Sequence, residues 1–302
     1  MDIRHLRAFL AVAEELHFAR AAARLHTDQS PLSRTIKELE EELGAKLFTR
    51  TTRSTQLTPA GKVFLERVPR IFEALEQARD GVKSAVNGFH GQLRIALSDG
   101  ITPSRLPALL ARSREEEPEV EIRLFEVPLD QQLKGLHEDL YDAGLSMADE
   151  VGDGIVTTPA WEDELMVALS SRHPLLEYRR IPLETVLQQR LVLGDPAACQ
   201  GHTRQIDRIL QKRDEELQIL QRVATFDVMM ALVSAGLAVG LAGAAHIASS
   251  REPGVIARQL AGTPPMLTTY LLRRDVEPPP MLARFIQRVI TMDAGGDEVA
   301  DS

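Results

Sequence analysis

Gln29-Ser30-Pro31-Leu32-Ser33-Arg34-Thr35-Ile36-Lys37-Glu38-Leu39-Glu40-Glu41-Glu42-Leu43-Gly44 reads as one helix with two unlike faces. Leu32, Ile36, Leu39 and Leu43 recur at steps of three and four and belong against a core. Ser30 can cap the start, Pro31 suits the first helical position, where its missing N–H has no partner, and Gly44 closes the end. The other face carries Gln29, Ser33, Arg34 and Lys37: an amide for adenine, a guanidinium for guanine, and hydroxyl and ammonium groups for phosphate. Upstream, Leu6, Phe9, Leu10 and Ala13 mark a first helix, Ala19 to Leu25 a short second one, and His26-Thr27-Asp28 the turn. This order predicts a helix-turn-helix whose last helix can enter a major groove. On spacing alone, a three-helix packing unit with a solvated outer face is the alternative.

The residues after Gly44 favour the helix-turn-helix. Lys46 to Leu57 alternates like a hairpin with Arg50 and Arg53 near its tip, a wing able to grip phosphates or a minor groove. Charge is divided accordingly. The 302 residues carry a net charge of −9, which taken whole argues against nonspecific affinity for nucleic acid. Residues 1–62, however, hold ten basic and eight acidic side chains, a net +2, leaving 25 basic and 36 acidic residues, or −11, for the remainder. Such asymmetry points to a nucleic-acid contact at one end.

Leu6-Arg7-Ala8-Phe9-Leu10-Ala11-Val12-Ala13-Glu14-Glu15, His17-Phe18-Ala19-Arg20-Ala21-Ala22, Gln29 to Arg34, Leu39 to Gly44, Leu47-Phe48-Thr49-Arg50 and Leu57-Thr58-Pro59-Ala60-Gly61 together resemble the winged helix-turn-helix of LysR-type transcriptional regulators. The resemblance implies that Gln29, Ser30, Pro31, Ser33, Arg34 and Lys37 face double-stranded promoter DNA, with Arg50 and Arg53 in the wing. Thr27-Asp28 departs from the family, which more often has small or aliphatic residues there. Asp28 either caps the helix or accepts from a cytosine amino group.

From Pro59 onward, Phe64, Val68, Ile71, Leu75, Ala78, Val82, Ala85 and Phe89 form a heptad seam, the pattern of a helix that packs against a partner helix. A helix lying on its own domain is the other reading. The resemblance implies a linker helix that pairs two winged domains, in a homodimer or a homotetramer built as a dimer of dimers. Pro69 removes a helical hydrogen bond, so a kink or weak turn is expected near Leu65 to Pro69. Asn87-Gly88-Phe89-His90-Gly91 reads as the hinge to a second module. The boundaries are therefore a winged domain over 1–58, a linker helix over 59–90 and a regulatory domain over 91–302.

Beyond Gly91, short apolar strands alternate with helices, which predicts an α/β fold with largely parallel sheets. Strands are expected at Leu93 to Leu97, Glu121 to Val127, Ala143 to Ser146, Leu165 to Leu169, Leu191 to Leu193, Leu220 to Thr225, Leu237 to Leu241 and Thr268 to Leu272. Val228 to Ala245 lacks charge, but its glycines suggest a buried helix and strand instead of a membrane span. The layout is similar to the family's periplasmic-binding-protein-like effector domain, with lobes at about 91–161 plus 268–302 and at 162–267. No signal peptide begins the chain, so a cytoplasmic protein is expected.

In such lobes ligands sit beyond strand ends, near helix N-termini that attract anions. Ser98, Thr102, Pro128, Ser146, His202 and Phe226 are the expected contacts for a small organic effector, with an organic acid as one class. As simpler roles, Ser98 and Thr102 can be helix caps and Phe226 core. Asp99 would repel an anion unless it caps a helix or pairs with Arg204 or His202. Enzyme signals are weak: Gly144-Leu145-Ser146-Met147-Ala148 lacks the second glycine of a nucleophile elbow. The histidines are scattered without metal-ligand spacing, no cofactor is indicated, and Cys199 has no resolving partner in the chain. The expected function is sequence-specific transcription regulation with an effector and RNA polymerase as further partners. A solute-binding or sensor protein without DNA-directed activity is the alternative.

Overall fold

The computed structural model describes residues 1–50, 55–86, 89–101, 105–210 and 217–292. The chain forms two compact units, Met1–Asp80 and Gly81–Ser302. The first unit contains α1 (Ile3–Glu15), α2 (Phe18–Arg24), α3 (Gln29–Leu43), the hairpin strands β1 (Phe48–Arg50) and β2 (Thr55–Leu57), and the start of α4 (Pro59–Val86). Phe9, Val12, Leu32, Ile36, Leu39, Phe48 and Val68 are buried in one core. The Phe9 ring stands 5.4 Å from Phe48 and 4.8 Å from Phe64, which ties α1 to the wing and to α4.

Helix α3 starts earlier than its sequence suggests. Asp28 occupies the N-cap position with extended backbone but no side-chain cap bond, and Ser30 and Pro31 lie inside the first turn. Pro31 is still tolerated, because the first i to i−4 bond of the helix is donated by Leu32 to Asp28 O at 3.3 Å. Leu43 is 38% exposed, so the apolar stripe leaves the core at its last turn.

Helix α4 continues through Pro69 without interruption, so the weak turn expected there does not break it. Packing explains this: Val68 is fully buried, and Phe64, Leu65 and Phe72 pack against the same core. Pro69 itself is exposed, on the side where water can solvate the freed carbonyl. The heptad seam divides in two. Its first members hold the winged core, whereas Ile71 and Val82 are exposed.

The second unit begins with β3 (Gly91–Leu97), α5 (Arg105–Glu116), β4 (Val120–Glu126), α6 (Leu129–His137) and β5 (Ala143–Ser146). Next come β6 (Ile155–Ser170), β7 (Arg180–Ile181), α7 (Leu183–Leu187), β8 (Leu191–Gly194), α8 (Gln200–Leu210) and β9 (Ile219–Val223). It ends with α9 (Phe226–Ser234), β10 (Val239–Gly243), α10 (Ala244–Ser249), β11 (Val255–Leu260), β12 (Met266–Arg274) and α11 (Pro280–Thr291). Strands pair in the order β4-β3-β5-β12-β6-β10-β8-β9, with β11 on β6 and β7. The β3/β4, β3/β5, β8/β9, β8/β10 and β7/β11 pairs are parallel.

Strand β6 is far longer than the Leu165 to Leu169 segment legible in the sequence. Ile155 to Glu164 pair with β12, and Leu165 to Ser170 continue onto β10 and β11. The β12 register shifts between Thr269, opposite Trp161, and Tyr270, opposite Pro159; Pro159 sits at this irregularity, where a missing ladder donor is tolerated. One apolar core gathers Leu93, Ile95, Leu109, Leu145, Leu271 and Phe285. A second gathers Leu165, Val167, Leu169, Leu191, Ile206 and Leu241. In the charge-free stretch, α9 ends at Ser234, Gly236 turns at φ +72°, and β10 follows. Among the described residues no helix is long and apolar enough to cross a membrane.

Candidate DNA-reading surface and ligand cleft

On the winged unit, Gln29, Ser30, Pro31, Arg34 and Lys37 are exposed on α3 and Ser33 is half-buried. Lys37 Nζ lies 3.4 Å from Glu41 Oε1, one turn on. Arg20 and Arg24, by contrast, are paired with Glu15 and Glu14. Arg50 is the last residue of β1, opposite Thr55. Arg53 lies outside the described residues.

Two features hold this surface in shape, formed by residues of the family-like stretches whose contacts the sequence does not assign. Glu40, 4% exposed, accepts from the backbone N–H of Leu47 at 2.9 Å and of Phe48 at 3.2 Å through Oε1. Its Oε2 accepts from Lys46 Nζ at 2.8 Å. Burial alone would raise its pKa, but Lys46 and the two amides hold the carboxyl below its ordinary value. The reading helix and the wing are thereby clamped together. At the start of α4, Thr58 Oγ1 accepts from Gly61 N at 3.0 Å and donates to Lys46 O at 2.6 Å. A Cβ on Gly61 would stand 2.1 Å from Leu47 O, so only glycine lets α4 approach the wing this closely.

In the second unit, a cleft of about 580 Å³ is lined by Ser98, Gly100, Val127, Pro128, Cys199 and Phe226, among others. Ser98, Pro128 and Phe226 of the expected set thus meet in one place. Thr102 lies outside the described residues. Ser146 does not line the cleft. It is fully buried, donates to Asp99 Oδ2 at 2.7 Å and accepts from Ala148 N at 3.0 Å. His202 is likewise withdrawn, 1% exposed in α8, edge-on to the Phe226 ring at 4.9 Å. Among the described residues neither ring nitrogen of His202 has a hydrogen-bond partner, and burial pushes its pKa down to about 3.

His246, which the sequence did not single out, stacks on Phe226 at 4.0 Å, with Nε2 2.5 Å from Gly100 O. Burial lowers its pKa, against the opposing pull of the Gly100 carbonyl and Asp163. Cys199 Sγ donates to Ala224 O at 3.4 Å; desolvation, with Asp99 and Asp195 adding to it, pushes the thiol up to about 11. That thiol stays protonated and unreactive near neutral pH.

Asp99 is the hub. Its backbone is left-handed, at φ +61°. Oδ1 accepts from Gly201 N at 2.7 Å, and Oδ2 from Ser146 Oγ and from Met147 N at 3.2 Å. The carboxylate therefore caps the first turn of α8 rather than pairing with Arg204, which donates to Glu150 O. Gln205, one turn along α8, donates to Met147 O at 2.6 Å and accepts from Thr268 N at 2.9 Å. Among the described residues three acids, Asp99, Glu126 and Asp227, line the cleft, and no Lys or Arg does.

A winged helix-turn-helix joined to an α/β unit with a cleft beyond its strand ends defines a ligand-responsive DNA-binding protein. Comparison with known proteins agrees. Residues 3–62 match the bacterial regulatory helix-turn-helix of the lysR family, and residues 87–293 match the LysR substrate binding domain. The chain belongs to the LysR family of DNA-binding transcriptional regulators. It is 32% identical over 260 residues to the transcriptional regulator XapR of Escherichia coli, covering 86% of this chain and 87% of XapR. It is also 32% identical over 315 residues to IlvR of Caulobacter vibrioides, covering 99% and 100%. Full-length CbnR complexed with its target DNA superposes with a TM-score of 0.80 at 28% identity, covering 97% of this chain and all (100%) of that one. Full-length BenM gives 0.59 at 25% identity, covering 96% and 95%.

Proposed function

We propose that this regulator reads promoter DNA through Gln29, Ser30, Pro31, Ser33, Arg34 and Lys37 of α3, with Arg50 and Arg53 of the wing on phosphates or the minor groove. The observation that carries this reading is the two-faced α3: Leu32, Ile36 and Leu39 are buried, while Arg34 is exposed and engaged in no hydrogen bond or ion pair among the described residues. Ile71 and Val82, exposed along the outer part of α4, support a homodimer paired through this helix, and a homotetramer built from two such dimers. The functional parts are a winged domain at 1–58, a linker at 59–90 and a two-lobed regulatory domain at 91–302, working in the cytoplasm with RNA polymerase as a further partner. A small organic effector in the cleft favours one lobe arrangement and so shifts the geometry of the paired winged domains on bent DNA.

The test is a gel shift on DNA upstream of the reading frame, with salt titration. Arg34→Ala should weaken binding by about 1–3 kcal/mol, and affinity should fall steeply with salt. Salt-insensitive binding, or full affinity in Arg34→Ala, overturns the assigned surface.

A further inference from the structure

Among the described residues the cleft presents carboxylates and an apolar wall without any lysine or arginine, and we infer that its ligand is an organic cation, an amine with an apolar body, and not an organic acid. The inference rests on the cleft being the effector site, which the match of residues 87–293 to a substrate-binding domain supports independently of its charge.

An organic acid is ordinarily held in such lobes by helix N-termini and basic side chains. Here an acid of the chain lies in, or bonds to, the first turn of each of three such helices. At α8, Asp99 accepts from Gly201 N. At α9, Thr225 Oγ1 accepts from Val228 N at 3.4 Å and Asp227 sits in the first turn. At α6, Asp130 sits in the first turn behind Pro128. Neither histidine beside Phe226 compensates, since burial favours the neutral form of both. An incoming carboxylate would meet like charge at each of these three ends.

A cation finds the reverse. Glu126 closes β4 and Asp227 opens α9, one on each lobe; both are exposed and neither side chain has a hydrogen bond or ion pair among the described residues. The half-buried Phe226 ring, with Ile101, Val127 and Met230, supplies apolar wall for the body of the ligand. An ammonium held between carboxylates of opposite lobes would also draw the lobes together, which links binding to lobe arrangement.

The test uses the full-length chain with two probes of similar shape and opposite charge, 2-phenylethylammonium and 3-phenylpropionate, alongside butylammonium and 1,5-diaminopentane, read by calorimetry and thermal shift. At least one ammonium probe should bind saturably while 3-phenylpropionate does not. Asp227→Asn and Glu126→Gln should each weaken that probe about tenfold. Asp153→Asn, an exposed acid that does not line the cleft, should leave it unchanged. Preference for the carboxylate, silence across all three ammonium probes, or equal loss in Asp153→Asn overturns the inference. A parallel gel shift separates the outcomes: intact DNA binding with no ammonium response removes only the ligand class, whereas absent DNA binding removes the proposed function itself.

Discussion

The Asp99 carboxylate accepts a hydrogen bond from the Gly201 amide at 2.7 Å, joining the end of β3 to the first turn of α8 across the two lobes. A Cβ on Gly201 would stand 2.5 Å from both Asp99 Oδ2 and Ala148 N, and 2.6 Å from Met147 C. Two of these atoms are backbone and cannot swing aside. Gly201→Ala should therefore destabilise the second unit by about 2–3 kcal/mol, read as a lowered denaturation midpoint. Unchanged stability would show that the lobes are not locked at this contact.

Glu40→Gln tests the clamp between α3 and the wing. The amide cannot pair ionically with Lys46, and its NH2 group opposes the Leu47 and Phe48 donors if it turns the wrong way. We expect a loss of about 1–3 kcal/mol in the stability of the winged unit. DNA affinity should fall although no exposed residue has changed. Because the folded pKa of Glu40 is depressed, its contribution is present above the unfolded value and lost as pH falls through the folded one.

His202 gives the second unit its own acid sensitivity. Its folded pKa is pushed down to about 3 from an ordinary 6.5, so below 6.5 the unfolded chain takes up a proton that the folded one does not. Stability should fall as pH drops from 6.5 toward 3, with a slope approaching about 1.4 kcal/mol per pH unit from this group. His202→Phe should flatten that part of a pH-dependent denaturation curve. An unchanged slope would remove His202 as its source.

Pro69 offers a gain instead of a loss. It is exposed inside an unbroken α4, where alanine would restore a backbone donor and a better helix former. Pro69→Ala should stabilise the helix by about 1–3 kcal/mol, seen as a higher melting temperature. A lower one would mean that the proline sets a bend the fold needs.

How far the sequence could be read depended on periodicity. Leu32, Ile36 and Leu39 repeat at helical spacing and Ala143 to Ser146 is a short apolar run, so the helix face and the strand were both legible. Glu40 stands among three neighbouring acids, and nothing in the spacing marks it as the one folded inward. The polar Glu162-Asp163-Glu164 and Pro159 hid the first part of β6, because neighbouring strands, not side-chain pattern, keep it extended. Strand β11 was missed for a similar reason, with Arg258 and Gln259 interrupting its apolar run. In the cleft, Ser98, Pro128 and Phe226 follow from strand and helix ends. His246 enters only through the tertiary contact between α10 and the Asp99-Gly100 turn. Ser146, at the end of β5, and His202, in α8, are buried and do not line the cleft, and their sequence positions give no sign of that burial.

Strand β6 gives its first ten residues to the ladder with β12 and its last six to the pairings with β10 and β11, without a loop between. A joint made of hydrogen-bonded ribbon resists being pulled open more than it resists torsion. On the proposed function, a message carried through this strand would leave the unit as a small rotation, and the machinery downstream would need to be sensitive to angle more than to distance.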